Sequence, residues 1–232
     1  MTIAVLGAGR MGSVAAEQLP EDVKKIIIDQ DAETAERIAD RIGGSASQDY
    51  AALSDADMVL LLLPASVIPE AAEKAVKYLK PGTVVLNMAT KGEIPEKLKS
   101  DHPGIRFVDA KIIGHADSMR EGAPCMVIAG TEDDELLGKI RHVLPGYASV
   151  ISGDPSLVPV LSSIASEEGI RAAVRVKQQA MKHHIPEEWL RPLIYTVAAG
   201  TMRAYIDGNM GEFARKIAEK FEAEESQTSE QP

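Results

Sequence analysis

The sequence predicts an α/β protein, with a mostly parallel sheet covered by helices on both faces and a smaller, all-helical C-terminal domain. Three observations predict this class. Short apolar runs alternate with helical patterns as far as Ser152. Those runs are apolar on both faces, as in strands buried within a parallel sheet. Beyond Ser152 the strand pattern stops and only helical periodicity remains.

Eight short apolar segments are predicted to form strands. They lie at residues 2–7, 24–29, 44–47, 56–64, 82–88, 105–110, 125–130 and 147–152. Segments with apolar residues at intervals of three and four separate them and predict helices. These segments cover residues 10–19, 31–42, 65–79, 94–100 and 132–143.

The C-terminal part reads as three helices, over residues 157–183, 187–207 and 211–224. Gly153-Asp154-Pro155 interrupts the pattern before them, so we place the domain boundary there. The predicted domains are 1–152, in which strands and helices alternate, and 153–224, which is entirely helical. Residues 225–232 are polar and acidic, and we expect them to be disordered.

The amino-acid composition limits the kinds of partner that this protein is expected to bind. The chain has 232 residues, of which 45% are apolar, enough for a substantial core. Its 25 basic and 35 acidic residues give a net charge of −10, which disfavours binding to nucleic acid or to an anionic membrane. A single cysteine, Cys125, excludes an internal disulfide framework and is typical of a reducing compartment. With no signal-peptide pattern and no apolar run long enough to span a bilayer, we expect a cytoplasmic protein.

The first strand leads into a glycine-rich turn, Gly7-Ala8-Gly9-Arg10-Met11-Gly12. In a strand–turn–helix context, the first glycine permits the tight turn, the second lets the backbone approach a pyrophosphate, and the third lets the helix pack on the strand. The free N–H groups of the following helix favour an anion. We interpret this turn as a dinucleotide site, and the alternative is a tight turn with no ligand.

The second strand ends in Asp29, twenty residues after Gly9. A carboxylate at this position accepts hydrogen bonds from the adenine ribose hydroxyls and repels a 2′-phosphate. The next residues, Gln30 and Asp31, offer no arginine for such a phosphate. We therefore expect NAD as cofactor, with NADP possible, in a Rossmann-type doubly wound sheet.

Two further loops are expected at the same edge of the sheet, where ligands bind in such folds. The predicted cofactor contacts in them are Leu63, Pro64, Ala65, Val67, Asn87 and Ala89. Thr90 and Lys91 follow, and the alternative for Lys91 is a solvated loop lysine.

The glycine turn together with "ADMVLLLLP" resembles the 6-phosphogluconate/β-hydroxyacid dehydrogenase superfamily. The C-terminal half, from "SLVPVLSSIASEEGI" to "TVAAGTM", resembles more narrowly the helical domain of its pyrroline-5-carboxylate reductases. The resemblance implies hydride transfer between nicotinamide and a small imine or carbonyl substrate that carries a carboxylate. It also implies a homodimer formed through the C-terminal helices.

The chain departs from those families in its substrate motifs. Where the reductases have Ser-Gly-Ser-Gly-Pro-Ala-Tyr, this chain has "SSIASEE", and "IIGHADSMREG" replaces their Met-Pro-Asn-Thr-Pro loop. No lysine occurs between Lys139 and Lys177, where a β-hydroxyacid dehydrogenase would carry its helix lysine.

Four residues are candidates for catalysis. His115 follows a strand and titrates in a useful range, although a surface or structural histidine is the alternative. Ser162 and Ser163 match the substrate-holding hydroxyls of the reductases, or they cap the long helix. Lys91 is placed to orient a carboxylate. We predict no metal site, because the adjacent His183 and His184 would diverge on a helix.

Two other functions remain open. One is an NAD(H)-binding sensor or regulatory protein that has lost turnover, suggested by the altered substrate motifs. The other is an enzyme similar to β-hydroxyacid dehydrogenases with relocated catalytic groups.

Overall fold

The computed structural model describes residues 1–144 and 148–229. It divides into two compact units, Met1–Ser162 and Ser163–Pro232, and the division falls within a long helix. The predicted boundary after Ser152 lies earlier, at the end of the last strand. None of the helices in the described ranges is both long and apolar enough to cross a bilayer.

The first unit is built on one sheet of eight strands in the order 3-2-1-4-5-6-7-8. The strands are β1 (Thr2–Leu6), β2 (Lys24–Ile28), β3 (Ser45–Ser47), β4 (Met58–Leu61), β5 (Val84–Asn87), β6 (Arg106–Ile113), β7 (Cys125–Ala129) and β8 (Ala148–Ser152). The chain starts in the middle of the sheet, moves outward to β3 and returns to β4 beside β1. This reversal of strand order is the doubly wound topology, whose ligand crevice lies where the order reverses. The predicted fold class is confirmed.

Strand β6 differs from the prediction at its end. The apolar pattern predicted a strand ending at Ala110, whereas β6 continues to Ile113 because residues 110–113 pair with β7. That pairing is antiparallel, and every other pair in the sheet is parallel. Lys111, one residue beyond the predicted end of the strand, therefore lies inside the sheet.

Helices cover both faces of this sheet. They are α1 (Arg10–Glu17), α2 (Ala32–Ile42), α3 (Ile68–Ala75), α4 (Glu96–Asp101), α5 (Ala116–Arg120) and α6 (Asp134–Val143). Two apolar cores result, one on each face. The first includes Ile3, Ile27 and Ile140, and the second includes Val59 and Ile68. Burial on both faces explains why the strands read as continuous apolar runs rather than alternating ones.

Local signals begin and end the helices. The Asp31 side chain accepts the Thr34 N–H at the start of α2, and Gly43 ends that helix in the left-handed region, with φ of 66°. Asp133 accepts the Leu136 N–H at the start of α6. These caps satisfy N–H groups that have no partner within the helix.

The second unit is entirely helical. It contains most of α7 (Leu157–Lys182), α8 (Leu190–Pro192), a π-helical segment (Leu193–Ala198), α9 (Ala199–Ile206) and α10 (Glu212–Ser229). The predicted helix over 187–207 is thus interrupted, and it changes type directly after Pro192, which has no N–H to donate. Helix α10 extends to Ser229, beyond the predicted start of the disordered tail at residue 225. Residues 230–232 lie outside the described residues.

Candidate dinucleotide site and its surroundings

The glycine turn joins β1 to α1, and its three glycines meet different constraints. Gly7 has φ of +103°, a conformation that side chains rarely adopt. A Cβ on Gly12 would lie 1.8 Å from the Gly7 carbonyl oxygen, so only glycine allows α1 to pack this closely. A Cβ on Gly9 would meet nothing within 4 Å. Backbone conformation and packing therefore explain why positions 7 and 12 require glycine, but they do not explain the glycine at position 9. The open space above Gly9 is where a ligand would approach.

Helix α1 begins at Arg10 with no side-chain cap, because Gly9 occupies the N-cap position. Its first N–H groups therefore have no intrahelical acceptor, and they favour an anion at this end. The site accordingly fits a diphosphate.

Asp29 follows β2 and is tied to the glycine turn. Its Oδ2 accepts the Ala8 N–H at 2.6 Å, and its Oδ1 accepts the Asp31 N–H at 3.0 Å. The carboxylate is half-buried beside the turn, which places it next to any ligand there. The Ala8 N–H therefore already has a protein acceptor. Gln30 is exposed and its carbonyl accepts a bond from Gln48.

The loop after β4 forms the next part of the same edge. Pro64 precedes a short 3-10 turn, Ala65–Val67, closed by the Val67 N–H on the Pro64 carbonyl at 2.9 Å. Leu63 is half-buried, whereas Pro64, Ala65 and Val67 are exposed. The backbone of Gly92 packs closely against this loop. Its φ is +108°, and a Cβ added to it would lie 2.8 Å from the Ala65 carbonyl oxygen.

Arg10 and Met11 have separate surroundings. The Arg10 guanidinium lies 2.6 Å from Asp117 of α5, and Met11 packs against the first core. Arg120 of α5 donates to Ser13 in α1 and contacts Glu17. These bonds join α5, and with it the loop that carries His115, to the helix of the glycine turn.

A buried polar network lies at the end of β5 and on β6, and it includes one predicted residue. The Asn87 amide nitrogen donates to the Gly92 carbonyl at 2.9 Å and to Asp109 Oδ1 at 2.7 Å. Lys111 Nζ lies 3.2 Å from the same two oxygens. The Asn87 amide nitrogen therefore already donates to two protein acceptors. Ala89, two residues later, is buried.

Lys111 and Asp109 were missed by sequence reasoning. The only sequence signal was "FVDAKII", two charges within an apolar run. Burial lowers the pKa of Lys111 below its ordinary value, and nearby Asp109 opposes that shift. Buried ionisable groups with a shifted pKa are common at functional sites.

The four predicted catalytic residues lie on different elements of the chain. His115 is exposed directly before α5, and Lys91 is exposed after β5. Ser162 and Ser163 lie within α7, on either side of the division between the two units. Among the described residues no hydrogen bond or ion pair joins His115, Lys91 and Ser162. Nor does any group of three or more His, Cys, Asp or Glu in those ranges form a potential metal site.

Comparison with known proteins finds a matching family model for part of the chain and solved structures with a similar fold. Residues 2–91 match the family model described as NADP oxidoreductase, coenzyme F420-dependent. No curated protein matches the sequence.

Solved structures resemble the chain over most of its length. A 3-hydroxyisobutyrate dehydrogenase from Salmonella typhimurium is 19% identical with a TM-score of 0.66, over 90% of this chain and 79% of that one. An imine reductase from Myxococcus stipitatus, in complex with NADP+, is 19% identical with a TM-score of 0.66, over 89% and 75%. A variant of that reductase in complex with NAD+ is 18% identical with a TM-score of 0.60, over 89% and 73%.

These findings agree with the predicted class, an oxidoreductase that uses NAD or NADP, and the narrower resemblance to pyrroline-5-carboxylate reductase stays a prediction. At such low identities the structures show the fold alone. The sheet order, the glycine turn and the matched family model thus lead to one conclusion: the first unit has the fold of the dinucleotide-binding domain of NAD(P)-dependent dehydrogenases and reductases.

Proposed function

We propose that this protein is an NAD(P)-dependent oxidoreductase that transfers hydride between nicotinamide and a small imine or carbonyl substrate bearing a carboxylate. The observation that carries the proposal is the glycine turn, in which Gly9 has open space above it and Asp29 is bonded to the turn itself. The family model over residues 2–91 supports the same class.

Different residues of the first unit would bind different parts of the cofactor. The N-terminus of α1 and Gly9 would hold the diphosphate, Asp29 would accept the ribose hydroxyls, and the loops at Pro64–Val67 and Ala89–Lys91 would border the nicotinamide. The bound cofactor supplies the hydride. Asp29 favours NAD(H), because a carboxylate repels the extra phosphate of NADP(H).

The decisive experiment compares Gly9→Ala with Gly12→Ala. The Gly9 variant should fold normally, since its Cβ meets nothing, yet bind NADH at least about tenfold more weakly because the methyl group occupies the approach to the diphosphate. Binding is measured by nicotinamide fluorescence and folding by thermal melting. The Gly12 variant should instead melt at lower temperature, because its Cβ would overlap the Gly7 carbonyl. Unchanged NADH affinity in the Gly9 variant would remove the dinucleotide site from this turn.

The second candidate function is an NAD(H) sensor that has lost turnover. The observation that favours it is the altered substrate motifs, "SSIASEE" and "GHADS", which lack the residues of the related reductases. Assays at the nicotinamide absorbance with cyclic imino acids and with 2- and 3-hydroxy acids separate the two. Tight NADH binding without turnover of any of these supports the sensor.

We also propose that the chain forms a homodimer through its C-terminal helices. A groove of about 950 Å³ lies between α7, α9 and α10 of the second unit, and its walls are almost wholly apolar. Ile206 in that groove is 81% exposed in the single chain, and Phe221 is 58% exposed. An apolar surface of this size is typical of a subunit interface.

A single cysteine is typical of a protein in a reducing compartment, and we therefore propose that the protein is located in the cytoplasm.

A further inference from the structure

A cleft of about 500 Å³ opens within the first unit, beside the end of β5. The loop at Thr90–Glu93, Lys99 of α4, Asp109 and Lys111 of β6, and the segment 154–159 line it. The cleft adjoins the proposed nicotinamide loops, because Gly92 in its wall packs against the backbone of Ala65.

Lys111 lies at the floor of this cleft with only 5% of its surface exposed. An ammonium group has three N–H donors. Two of them are directed at Asp109 Oδ1 and at the Gly92 carbonyl, both at 3.2 Å. The third has no protein acceptor within residues 1–144 and 148–229, so the cleft is where its partner would lie.

Asn87 bonds the same two oxygens as Lys111. Its amide nitrogen lies closer to them, at 2.9 Å from the Gly92 carbonyl and 2.7 Å from Asp109 Oδ1. Both acceptors therefore keep a donor when Lys111 gives up a proton or turns its amine toward the cleft. The network tolerates both protonation states of Lys111.

The Asn87 amide oxygen is buried and has no hydrogen-bond partner among the described residues. A buried acceptor without a donor destabilises the fold, and an apolar residue at this position would avoid that cost. The Asn87 NH₂ group donates to both Asp109 and Gly92. These two hydrogen bonds persist in either charge state of Lys111.

The charges around Lys111 are nearly balanced. Asp109 on the same strand and Glu93 on the β5–α4 loop favour the ammonium, and Lys99 on α4 opposes it. Lys99 is itself paired with Glu96 at 2.7 Å. Burial is the largest influence and lowers the pKa of Lys111 from 10.5. The neutral amine is thus formed more readily than at an exposed lysine.

We propose that Lys111 is the acid–base residue of the hydride transfer, and that Asn87 and Asp109 are its positioning residues. This inference rests on the proposed oxidoreductase function. In the direction of reduction, a bound nicotinamide cofactor would supply hydride to the substrate carbon, and the C=O or C=N π pair would move to the heteroatom. The Lys111 ammonium would donate a proton to that atom, leaving a neutral lysine amine and oxidised cofactor. In the other direction the neutral amine accepts the proton, and water in the cleft restores the starting state.

The test pairs Lys111→Met with Lys97→Met, which removes an exposed lysine of α4 that does not line the cleft. The substrate is whichever imino or hydroxy acid the wild-type chain turns over. We expect kcat of the Lys111 variant to fall by about 100-fold or more, and that of the Lys97 variant to change by less than about threefold. NADH affinity, measured by fluorescence, should stay unchanged in both. A Lys111 variant as active as the Lys97 variant would overturn the assignment while leaving the oxidoreductase function standing.

A second readout needs neither substrate nor cofactor. Trace acetylation of the wild-type chain across a pH series, quantified by mass spectrometry, gives the midpoint at which each lysine becomes reactive. Lys111 should react at a lower pH in the folded chain than in the same chain unfolded in urea, because burial disfavours its charged form. In Asn87→Leu this midpoint should rise, because Asp109 and Gly92 then depend on the lysine protons alone.

These two experiments separate the possible failures. A Lys111 midpoint that is the same in the folded and the urea-unfolded chain overturns the proposal even if Lys111→Met does not fold. A midpoint that does not move in Asn87→Leu overturns the positioning role of Asn87. Tight NADH binding with no turnover of any substrate by the wild-type chain overturns both this inference and the oxidoreductase function.

Discussion

At the scale of single residues, Asp29 has one observed role in the fold and one proposed role in ligand binding. Its bond to the Ala8 N–H holds the glycine turn beside the end of β2. We propose that the same carboxylate binds the ribose. The sequence predicted the second role from the spacing to Gly9. The first role appeared only in the structure, because it depends on the distance between two loops.

We predict that Asp29→Ala weakens NADH binding more than NADPH binding, because the carboxylate attracts ribose hydroxyls and repels a 2′-phosphate. The expected loss for NADH is about tenfold, and NADPH should lose less or gain. Titrations of both nucleotides by fluorescence measure the ratio. Asp31→Ala is the matched control, since it removes a neighbouring carboxylate that caps α2 instead. Equal losses for both nucleotides would contradict the ribose assignment.

Lys111 is the residue that sequence reasoning missed, and the reason is physical. A lysine that follows an apolar run usually marks the point where a strand reaches solvent. Here an antiparallel neighbour, β7, extends β6 past it and carries it into the sheet. Pairing between strands that are distant in sequence cannot be seen from local periodicity.

At the scale of elements, the parallel strands were predictable because both of their faces are buried. Residues such as Val59 and Leu60 face opposite cores, and each core requires an apolar side chain. The direction of β7 and the interruption of the helix after Pro192 were not predictable, since both depend on how neighbouring elements pack. The end of α10 at Ser229 likewise exceeded the prediction from composition.

The start of β1 offers a test at this scale. Asp57 accepts the Thr2 N–H at 2.8 Å and pairs with Lys80 at 2.7 Å, which together hold its pKa below the usual value of 3.8. A carboxyl group with a lowered pKa stabilises the fold above its unfolded-state pKa, and this stabilisation disappears as the pH falls through the lowered value. Asp57→Asn should therefore reduce stability at pH 7 and have a shrinking effect below about pH 4.

The expected effect of Asp57→Asn at pH 7 is at most about 1 kcal/mol, because the pair is partly exposed and screened. Urea unfolding of both proteins between pH 7 and pH 3 measures it. Asp55→Asn serves as the control, since it removes a nearby carboxylate for which the structure shows no such bonds. A difference between Asp57→Asn and wild type that stayed constant down to pH 3 would argue against the electrostatic origin.

At the scale of the whole molecule, the two units differ in how they bury apolar surface. The first unit encloses its cores between sheet and helices, whereas the second leaves large apolar side chains such as Phe213 exposed. A helical segment of this composition is stabilised by covering that surface. We therefore expect the second unit to be completed by another copy of the chain.

Ile206→Glu tests this expectation. Ile206 is 81% exposed in the single chain, so the substitution should change the folding of one subunit little but disrupt a dimer that buries the groove. Light scattering after size-exclusion chromatography should show a dimer for the wild type and a monomer for the variant. Lys216→Glu, a charge reversal on α10 outside the groove lining, should leave the dimer intact. A monomeric wild-type chain at micromolar concentration would contradict the proposal.

The sequence by itself determined the fold class, the eight strands, the glycine turn and the acid that follows β2. All of these are local patterns, in which burial, backbone conformation or spacing along the chain restricts the residue type. Only the tertiary structure decided the direction of β7, the burial of Lys111 and the sharing of two oxygens between Lys111 and Asn87. The first feature arises where β7 pairs with β6, and the others arise where β5, β6 and the Gly92 loop meet. The contacts that create them join residues of different elements.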